Sequence, residues 1–249
     1  MIVYINQAVI LAGGRGERLR PLTDRIPKPM APISGFPFLD YLIDSVIQAG
    51  IQKILILLGY KADLIVDRYK GIKNINIQFS YGAIEDKTGR RLLNAYDQLD
   101  DHFLLMYGDN YWPIELEAMW SNYQQSSIKV STTVFSNKNG TGEYGYENNV
   151  EVGNGSIVVN YDKKRETVEA NGVDIGYFLV EKDILDPNVR GNISFEIDIL
   201  PQLIDKKQLG AFVTDNQYYY ITNMQSLQDF EFAAKAKNFQ PLPHKHFGG

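Results

Sequence analysis

Residues 7–33 read QAVILAGGRGERLRPLTDRIPKPMAPI, and the rest of the chain is read outward from them. The apolar run Ala8-Val9-Ile10-Leu11 is short enough for one buried strand. Gly13, Gly14 and Gly16 follow, and Glu17-Arg18-Leu19 reads as the first turn of a helix. A strand, a glycine-rich turn and a helix start bring backbone N–H groups up to an anion, with the positive helix end behind them. Arg15 sits in that loop, Arg18 and Arg20 lie just after it, and Lys28 stands between Pro27 and Pro29. The two prolines predict a stiff, extended segment for Lys28. Cations beside such a cradle suit a polyphosphate. The loop is not a Walker loop, because no Gly-Lys-Ser/Thr follows, and its G-G-x-G spacing fits the dinucleotide fingerprint poorly.

Beyond the loop, Pro37–Ile47 has helical spacing and ends at Gly50, a good residue to close a helix. Ile51–Leu58 reads as a strand covered on both faces, Ala62–Tyr69 as a helix and Asn76–Tyr81 as an alternating strand. Thr88–Leu99 reads as a helix, and Phe103–Met106 as a buried strand running into Tyr107-Gly108-Asp109. The second half predicts strands at Val130–Phe135, Val150–Val152, Ser156–Tyr161, Ile175–Val180 and Tyr218–Ile221. Helices are predicted at Phe195–Leu203 and Ser226–Asn238, with a frayed tail over 240–249. The alternation favours an α/β fold: a Rossmann-like, doubly wound, mostly parallel sheet with a small additional β-rich portion in the second half. Ligands in such sheets bind at the carboxyl ends of strands, where Gly13 and Asp109 would both lie. We expect one domain over 1–249, with a nucleotide-binding half to about residue 125 and a sugar-phosphate half over about 126–235.

Hydrophobic residues are 44% of the 249, enough for a sizeable core, and there is no cysteine, which excludes disulfides, thiolate metal sites and Cys nucleophiles. Net charge is −5, which argues against a nucleic-acid surface but leaves room for an anionic small molecule at a local basic cluster. No run reaches membrane-spanning length and Met1-Ile2-Val3-Tyr4 lacks signal-peptide character, so we expect a soluble cytoplasmic protein with no membrane partner. The 16 tyrosines are expected to serve packing, with hydroxyls at the surface.

From position alone, Asp109 can hold a divalent cation or cap a helix. The run Tyr161-Asp162-Lys163-Lys164-Arg165 is by default a solvated surface, and Glu196 an exposed acid in a first helical turn. His102, His244 and His246 form no metal constellation, and no Ser/His/Asp arrangement is present.

Taken together, LAGGRGERLRPLT followed by PKPM resembles the signature of sugar-1-phosphate nucleotidyltransferases, L-A-G-G-x-G-x-R-L-x-P-L-T then P-K-P-M. The resemblance covers nearly the whole chain and is strongest over Val9–Gly59. It implies an NTP and a sugar 1-phosphate, or a similar phosphate, as partners, Mg²⁺ as cofactor, and a homo-oligomer. Arg15, Lys28 and Asp109 become the catalytic set. Leu11, Ala12, Gly13, Gly14, Gly16, Gly82, Thr88 and Gly89 would bind the nucleotide; Gly145, Lys164, Asp174, Gly176 and Glu196 would bind the acceptor. Lys164 matches the family's phosphate-contacting lysine, whereas Lys163 stands where a sugar-contacting acid is usual. Val173-Asp174-Ile175-Gly176-Tyr177 is similar to the family's Asn-Ala-Gly-aromatic turn, and Ser194-Phe195-Glu196 to its Phe-Glu segment. At the second metal aspartate the chain departs: Asn223 or Gln225 holds the place, depending on the template. An amide oxygen ligates Mg²⁺ without bringing charge, so metal binding should be weaker unless another carboxylate such as Asp215 substitutes.

Pro27–Leu42 is similar to heptose- and mannose-1-phosphate guanylyltransferases, whereas Lys87–Leu92, Leu104–Asp109 and Met224–Asp229 are similar to glucose-1-phosphate cytidylyltransferases. CTP is therefore slightly favoured, GTP next and dTTP third. The missing carboxylate prompts a reading of another class, a nucleotide or sugar-nucleotide binder with little catalysis. A dinucleotide-dependent oxidoreductase is disfavoured by the loop spacing and by the want of a ribose-binding acid about twenty residues on.

Overall fold

In the computed structural model, which describes residues 5–73 and 75–242, Ala8, Val9 and Ile10 are fully buried in β1 (Gln7–Leu11). The first part of the chain continues through β2 (Pro32–Ile33), β3 (Phe36–Pro37), α1 (Phe38–Gln48), β4 (Lys53–Leu58), α2 (Ala62–Tyr69) and β5 (Asn76–Tyr81). Next come α3 (Thr88–Asn94), β6 (His102–Tyr107), β7 (Asn110–Tyr111), α4 (Leu116–Gln124) and β8 (Val130–Phe135). The last part holds β9 (Val150–Val152), β10 (Val158–Tyr161), β11 (Val173–Glu181), α5 (Leu200–Asp205), β12 (Leu209–Thr214), β13 (Tyr219–Tyr220) and α6 (Met224–Ala236). Seven strands form one mostly parallel sheet in the order β12-β8-β11-β6-β1-β4-β5, flanked by helices: the expected Rossmann-like α/β architecture. Strands β9 and β10 pair antiparallel as the small extra β portion. No helix among the described residues is long and apolar enough to cross a membrane.

The chain divides into two compact units. One takes the described parts of Met1–Asp86, Met106–Ile114 and Tyr219–Gly249; the other takes Lys87–Leu105 and Glu115–Tyr218. In the first, β1 pairs parallel with β4 from Gln7–Lys53 to Leu11–Leu57, and β4 pairs parallel with β5. Helix α1 buries Phe38, Leu39, Leu42, Ile43 and Val46, the helical-period face read from the sequence, and stops at Gly50, whose φ of 82° favours glycine. Phe230 of α6 meets Phe38 and Tyr41 edge-on, at ring separations of 4.9 and 5.4 Å. Asp40, wholly buried, accepts from Tyr69 Oη at 2.6 Å and from Arg68 Nη2 at 2.5 Å, which ties α1 to α2 and satisfies a charge that would be costly alone. In the second unit, β8 runs parallel to β12 and antiparallel to β11, and the β11 ladder slips between Asp174 and Phe178. That irregularity centres on Gly176, whose φ is 77°.

Four segments differ from the sequence reading. Glu17–Leu19 is a single 3₁₀ turn and not the start of an α-helix, because Pro21 holds Arg20 extended (φ −61°, ψ 144°) and ends it. Lys28 is not on an extended segment: it opens a 3₁₀ turn, Lys28–Met30, in which Pro29 takes an early position where no N–H is needed. The helix expected over 195–203 begins as a π-helix, Phe195–Ile199, before α5; Pro201 lacks the N–H that a continuous α-helix would direct at Ile197. The helix expected over 88–99 tightens after Asn94 into a 3₁₀ turn at Tyr96–Gln98. Residues 1–4 and most of the tail, with His244 and His246, lie outside the described residues.

Candidate active site

In the first unit the glycine loop is built around two glycines that admit a close neighbour. Gly16 has φ +66°, and a Cβ there would lie 2.7 Å from Lys28 Cβ, so the Lys28 turn packs directly on the loop. Thr23 Oγ1 donates to the Gly16 carbonyl at 2.9 Å, and Tyr60 Oη donates to the Thr23 carbonyl at 2.9 Å. Tyr60 N also donates to the Gly13 carbonyl at 3.0 Å. Gly108 does the same from the other side: a Cβ would meet the Leu11 carbonyl at 2.6 Å, the oxygen to which its N–H donates at 3.0 Å. Asp109 is thereby set beside the end of β1. Lys28 Nζ donates to Asp109 Oδ2 at 2.7 Å, with the two side chains 10% and 35% exposed. Burial pushes the Asp109 carboxyl up, but the charge and hydrogen bond of Lys28, with the charge of Arg18, outweigh it and hold the carboxyl below its ordinary range.

Arg15 is exposed, pairs with Glu85 at 3.0 Å and lies 5.8 Å over the Tyr60 ring. Around Gly14 a Cβ would find open space, so that face of the loop is free to take a ligand's bulk. Gly82, just after β5, donates to the Leu58 carbonyl. Asn223 caps α6: its side chain accepts from Ser226 N at 2.9 Å, and Ser226 Oγ takes the Asn223 N–H at 3.0 Å, a reciprocal capping box. Gln225 is turned to Asp229, at 2.9 Å.

In the second unit, the Glu196 carboxylate is 4% exposed and fully engaged. Oε2 accepts from Thr88 Oγ1 at 2.5 Å and from Ser194 Oγ at 2.6 Å; Oε1 accepts from Lys163 Nζ at 3.2 Å. Glu196 is thus no exposed first-turn acid. Gly89 brings α3 against this segment, since a Cβ there would lie 2.9 Å from the Ile193 carbonyl. Lys163, and not Lys164, is the cation paired with Glu196. Lys164 extends from the same loop with an exposed side chain while its N–H donates to Asp162 Oδ1 at 2.9 Å. Asp162 Oδ2 accepts from Glu166 N, Thr167 N and Thr167 Oγ1 at 2.8–2.9 Å, so one carboxylate folds the loop that presents both lysines. These donors outweigh desolvation and hold the Asp162 carboxyl low.

Asp174 accepts from Thr132 Oγ1 (2.9 Å), Tyr161 Oη (2.7 Å) and Gly176 N (2.9 Å). Burial nevertheless keeps its carboxyl above the ordinary range, helped by the charge of Glu196. Gly145 has φ +63°, and its carbonyl accepts from Asn137 Nδ2 at 2.9 Å. Among the site residues named from sequence, Leu11, Ala12, the loop glycines, Arg15, Lys28, Gly82, Asp109, Asn223 and Gln225 fall in the first unit, and Thr88, Gly89, Gly145, Lys164, Asp174, Gly176 and Glu196 in the second. Sequence reasoning missed Asp162, Ser194 and Gly108 as organisers. An Asp at the head of a polar turn, as in Asp162-Lys163-Lys164-Arg165, is the one local signal that pointed to any of them.

Among the described residues no group of three or more His, Cys, Asp or Glu side chains lies ready to hold a metal. Mg²⁺ asks less of a protein: one or two carboxylates, with water and substrate phosphates completing the shell. Asp109, a partly exposed carboxylate with one oxygen on Lys28, meets that requirement at its minimum.

The chain belongs to the nucleotidyl transferase family, whose model matches residues 7–232. Its relatives place it with the sugar-1-phosphate nucleotidyltransferases. It is 28% identical over 208 residues to the bifunctional protein GlmU of Methanococcus maripaludis, covering 81% of this chain and 48% of that one. It is 35% identical over 111 residues to the UTP–glucose-1-phosphate uridylyltransferase AglF of Haloferax volcanii, covering 44% and 46%. A crystal structure of HddC from Yersinia pseudotuberculosis complexed with GMP-PN superposes with a TM-score of 0.71 at 25% identity, covering 90% of this chain and 97% of that one. The chain spans about half the length of the curated relatives it matches.

Proposed function

We propose that the chain transfers a nucleotidyl group from an NTP to a sugar 1-phosphate or similar phosphate, giving an NDP-sugar and pyrophosphate. The observation that carries this is the Lys28–Asp109 pair, 2.7 Å apart and packed on the glycine loop through Gly16 and Gly108. An oxygen of the acceptor phosphate attacks the α-phosphorus, the bond to pyrophosphate breaks, and no protein nucleophile is needed. Catalysis is then positioning plus neutralisation of phosphate charge. Arg15 holds the β- and γ-phosphates, and Lys28 balances charge at the α-phosphate. In the second unit Lys163 and Lys164 take the acceptor's phosphate side, and Glu196, buried and held by Thr88 and Ser194, sets the Lys163 ammonium there. When bound, Mg²⁺ supplies further charge neutralisation, with Asp109 and an amide oxygen of Asn223 or Gln225 as the residues to hold it.

The Lys87–Leu92, Leu104–Asp109 and Met224–Asp229 segments favour CTP as donor, whereas one relative is a UTP–glucose-1-phosphate uridylyltransferase and another is crystallised with GMP-PN. We therefore carry UTP and GTP beside CTP. Pyrophosphate release with Mg²⁺, each NTP and a panel of sugar 1-phosphates tests the proposal. Release with one base and one acceptor supports it, and silence across the panel sinks it. The second reading, a nucleotide binder with little turnover, is favoured by Asn223, an amide committed to capping α6. Nucleotide-dependent thermal stabilisation without pyrophosphate release would select it.

A further inference from the structure

Thr88 opens α3 in the segment that resemblance sets near the nucleotide, but its hydroxyl is spent elsewhere. Oγ1 accepts from Phe195 N at 2.8 Å and gives its only proton to Glu196 Oε2 at 2.5 Å. A hydroxyl has one donor and two lone pairs, so Thr88 has no proton left for a phosphate or a base. Its neighbours fasten the same two stretches together. Arg90 N donates to the Ile193 carbonyl at 2.9 Å, Arg90 Nε to the Gly191 carbonyl at 2.8 Å, and Lys87 N to Asn192 Oδ1 at 2.8 Å. Gly89 leaves room for nothing larger against Ile193. Glu196 itself rides on a π-helix, a wide turn whose carboxylate direction is not dictated by a regular α-helical ladder.

We infer that Thr88 is a positioning residue for acceptor recognition. Its hydroxyl aims the Glu196 carboxylate, and Ser194 Oγ completes the aim on the same oxygen while Lys163 occupies the other. With Oε2 fixed by two short hydroxyl donors, the buried carboxylate cannot rotate, and it holds the half-exposed Lys163 ammonium in the one arrangement the acceptor meets. This rests on the proposed function in assigning Glu196 to the acceptor side, whereas the Thr88–Glu196 link itself does not.

The test is Thr88→Val, which keeps shape and removes the hydroxyl, with Thr88→Ser restoring it. Initial rates of pyrophosphate release are measured while donor and acceptor are varied separately. Removing a hydrogen bond to a charged group predicts an acceptor kcat/KM lower by roughly 10- to 100-fold, donor KM within about twofold, and recovery by Ser. Hydrogen exchange of the 193–199 segment is read in the same proteins and needs no turnover: it speeds in the Val variant and returns with Ser. A raised donor KM with acceptor KM unchanged would make Thr88 a nucleotide contact and overturn the inference. Unchanged exchange at 193–199 in the Val variant also overturns it. If the parent protein shows no turnover, the proposed function fails alone and the exchange result still decides Thr88. Should Thr88→Val fail to fold, Ser194→Ala removes the second donor to the same oxygen and must show the same acceptor-side loss.

Discussion

Replacing Gly16 by alanine should separate stability from ligand binding when set against Gly14→Ala. At Gly16 the new methyl meets two obstacles: a left-handed φ of +66° and Lys28 Cβ at 2.7 Å, with Thr23 Cγ2 at 3.2 Å. The left-handed conformation costs about 1–2 kcal/mol for a residue with a Cβ. The clash is with an atom fixed to the Lys28 backbone, so the turn itself must shift, an overpacking cost of about 1–3 kcal/mol. Loss of glycine's freedom in the unfolded chain returns about 0.4–1 kcal/mol. The net is roughly 1–5 kcal/mol, and at about 2–4 °C per kcal/mol for a chain of this size the midpoint should fall by roughly 2–20 °C. Gly14 has open space and no left-handed φ, so its alanine variant should melt within a degree or two of the parent. That variant should instead lose nucleotide binding if the proposed cradle is right, because the methyl would fill the open side of the loop assigned to the phosphate. Thermal unfolding with and without NTP reads both. A Gly16→Ala protein as stable as its parent would refute the packing argument, and a Gly14→Ala protein that keeps nucleotide-dependent stabilisation would refute the cradle.

Lys28→Met should lower turnover by about 10²- to 10³-fold, the scale of losing one charge-stabilising donor, read as pyrophosphate release. The same variant has a pH signature. The Asp109 carboxyl titrates below its unfolded value of about 3.9, so the pair's stabilisation is complete above that value and is lost as pH falls through the folded pKa. With Asp109 partly exposed, the stability gap between parent and Lys28→Met should be about 1–2 kcal/mol at pH 6 and shrink as pH falls below the ordinary carboxylate range, measured by urea unfolding. A gap that widens on acidification contradicts the pairing. Asn223→Asp should leave stability within about 0.5 kcal/mol, because Asp caps a helix as well as Asn. It should lower the Mg²⁺ concentration needed for half-maximal turnover several-fold, and an unchanged Mg²⁺ dependence removes Asn223 from the metal site.

Much of the fold was legible because its signals are local. Four apolar residues before the glycine loop are short enough for one buried strand, the continuous apolar run of β4 marks a strand covered on both faces, and β5 follows from its alternation. The turns around the prolines were misread because each proline permits two outcomes. Pro29 braces an extended chain or sits early in a 3₁₀ turn, and only the packing of Lys28 Cβ on Gly16 chooses the second. The site was legible as residue types but not as partnerships. Nothing local tells that Thr88 reaches a residue 108 positions away, or that Lys163 rather than Lys164 turns to Glu196. That choice is made by Asp162, whose carboxylate gathers the N–H groups of the following residues and so fixes which way each lysine leaves the loop.

The two compact units are threaded, not tandem: the chain passes from one to the other after Asp86, Leu105, Ile114 and Tyr218. A single cut therefore yields no fragment holding one whole unit, and stopping synthesis near residue 125 leaves both incomplete. Exchanging the first unit with that of a relative takes three separate grafts, Met1–Asp86, Met106–Ile114 and Tyr219–Gly249, made together. One of those junctions, between Leu105 and Met106, falls inside β6, where a splice must match the strand's register as well as its sequence. Specificity in this chain is consequently easier to retune by point substitution than by recombination of blocks.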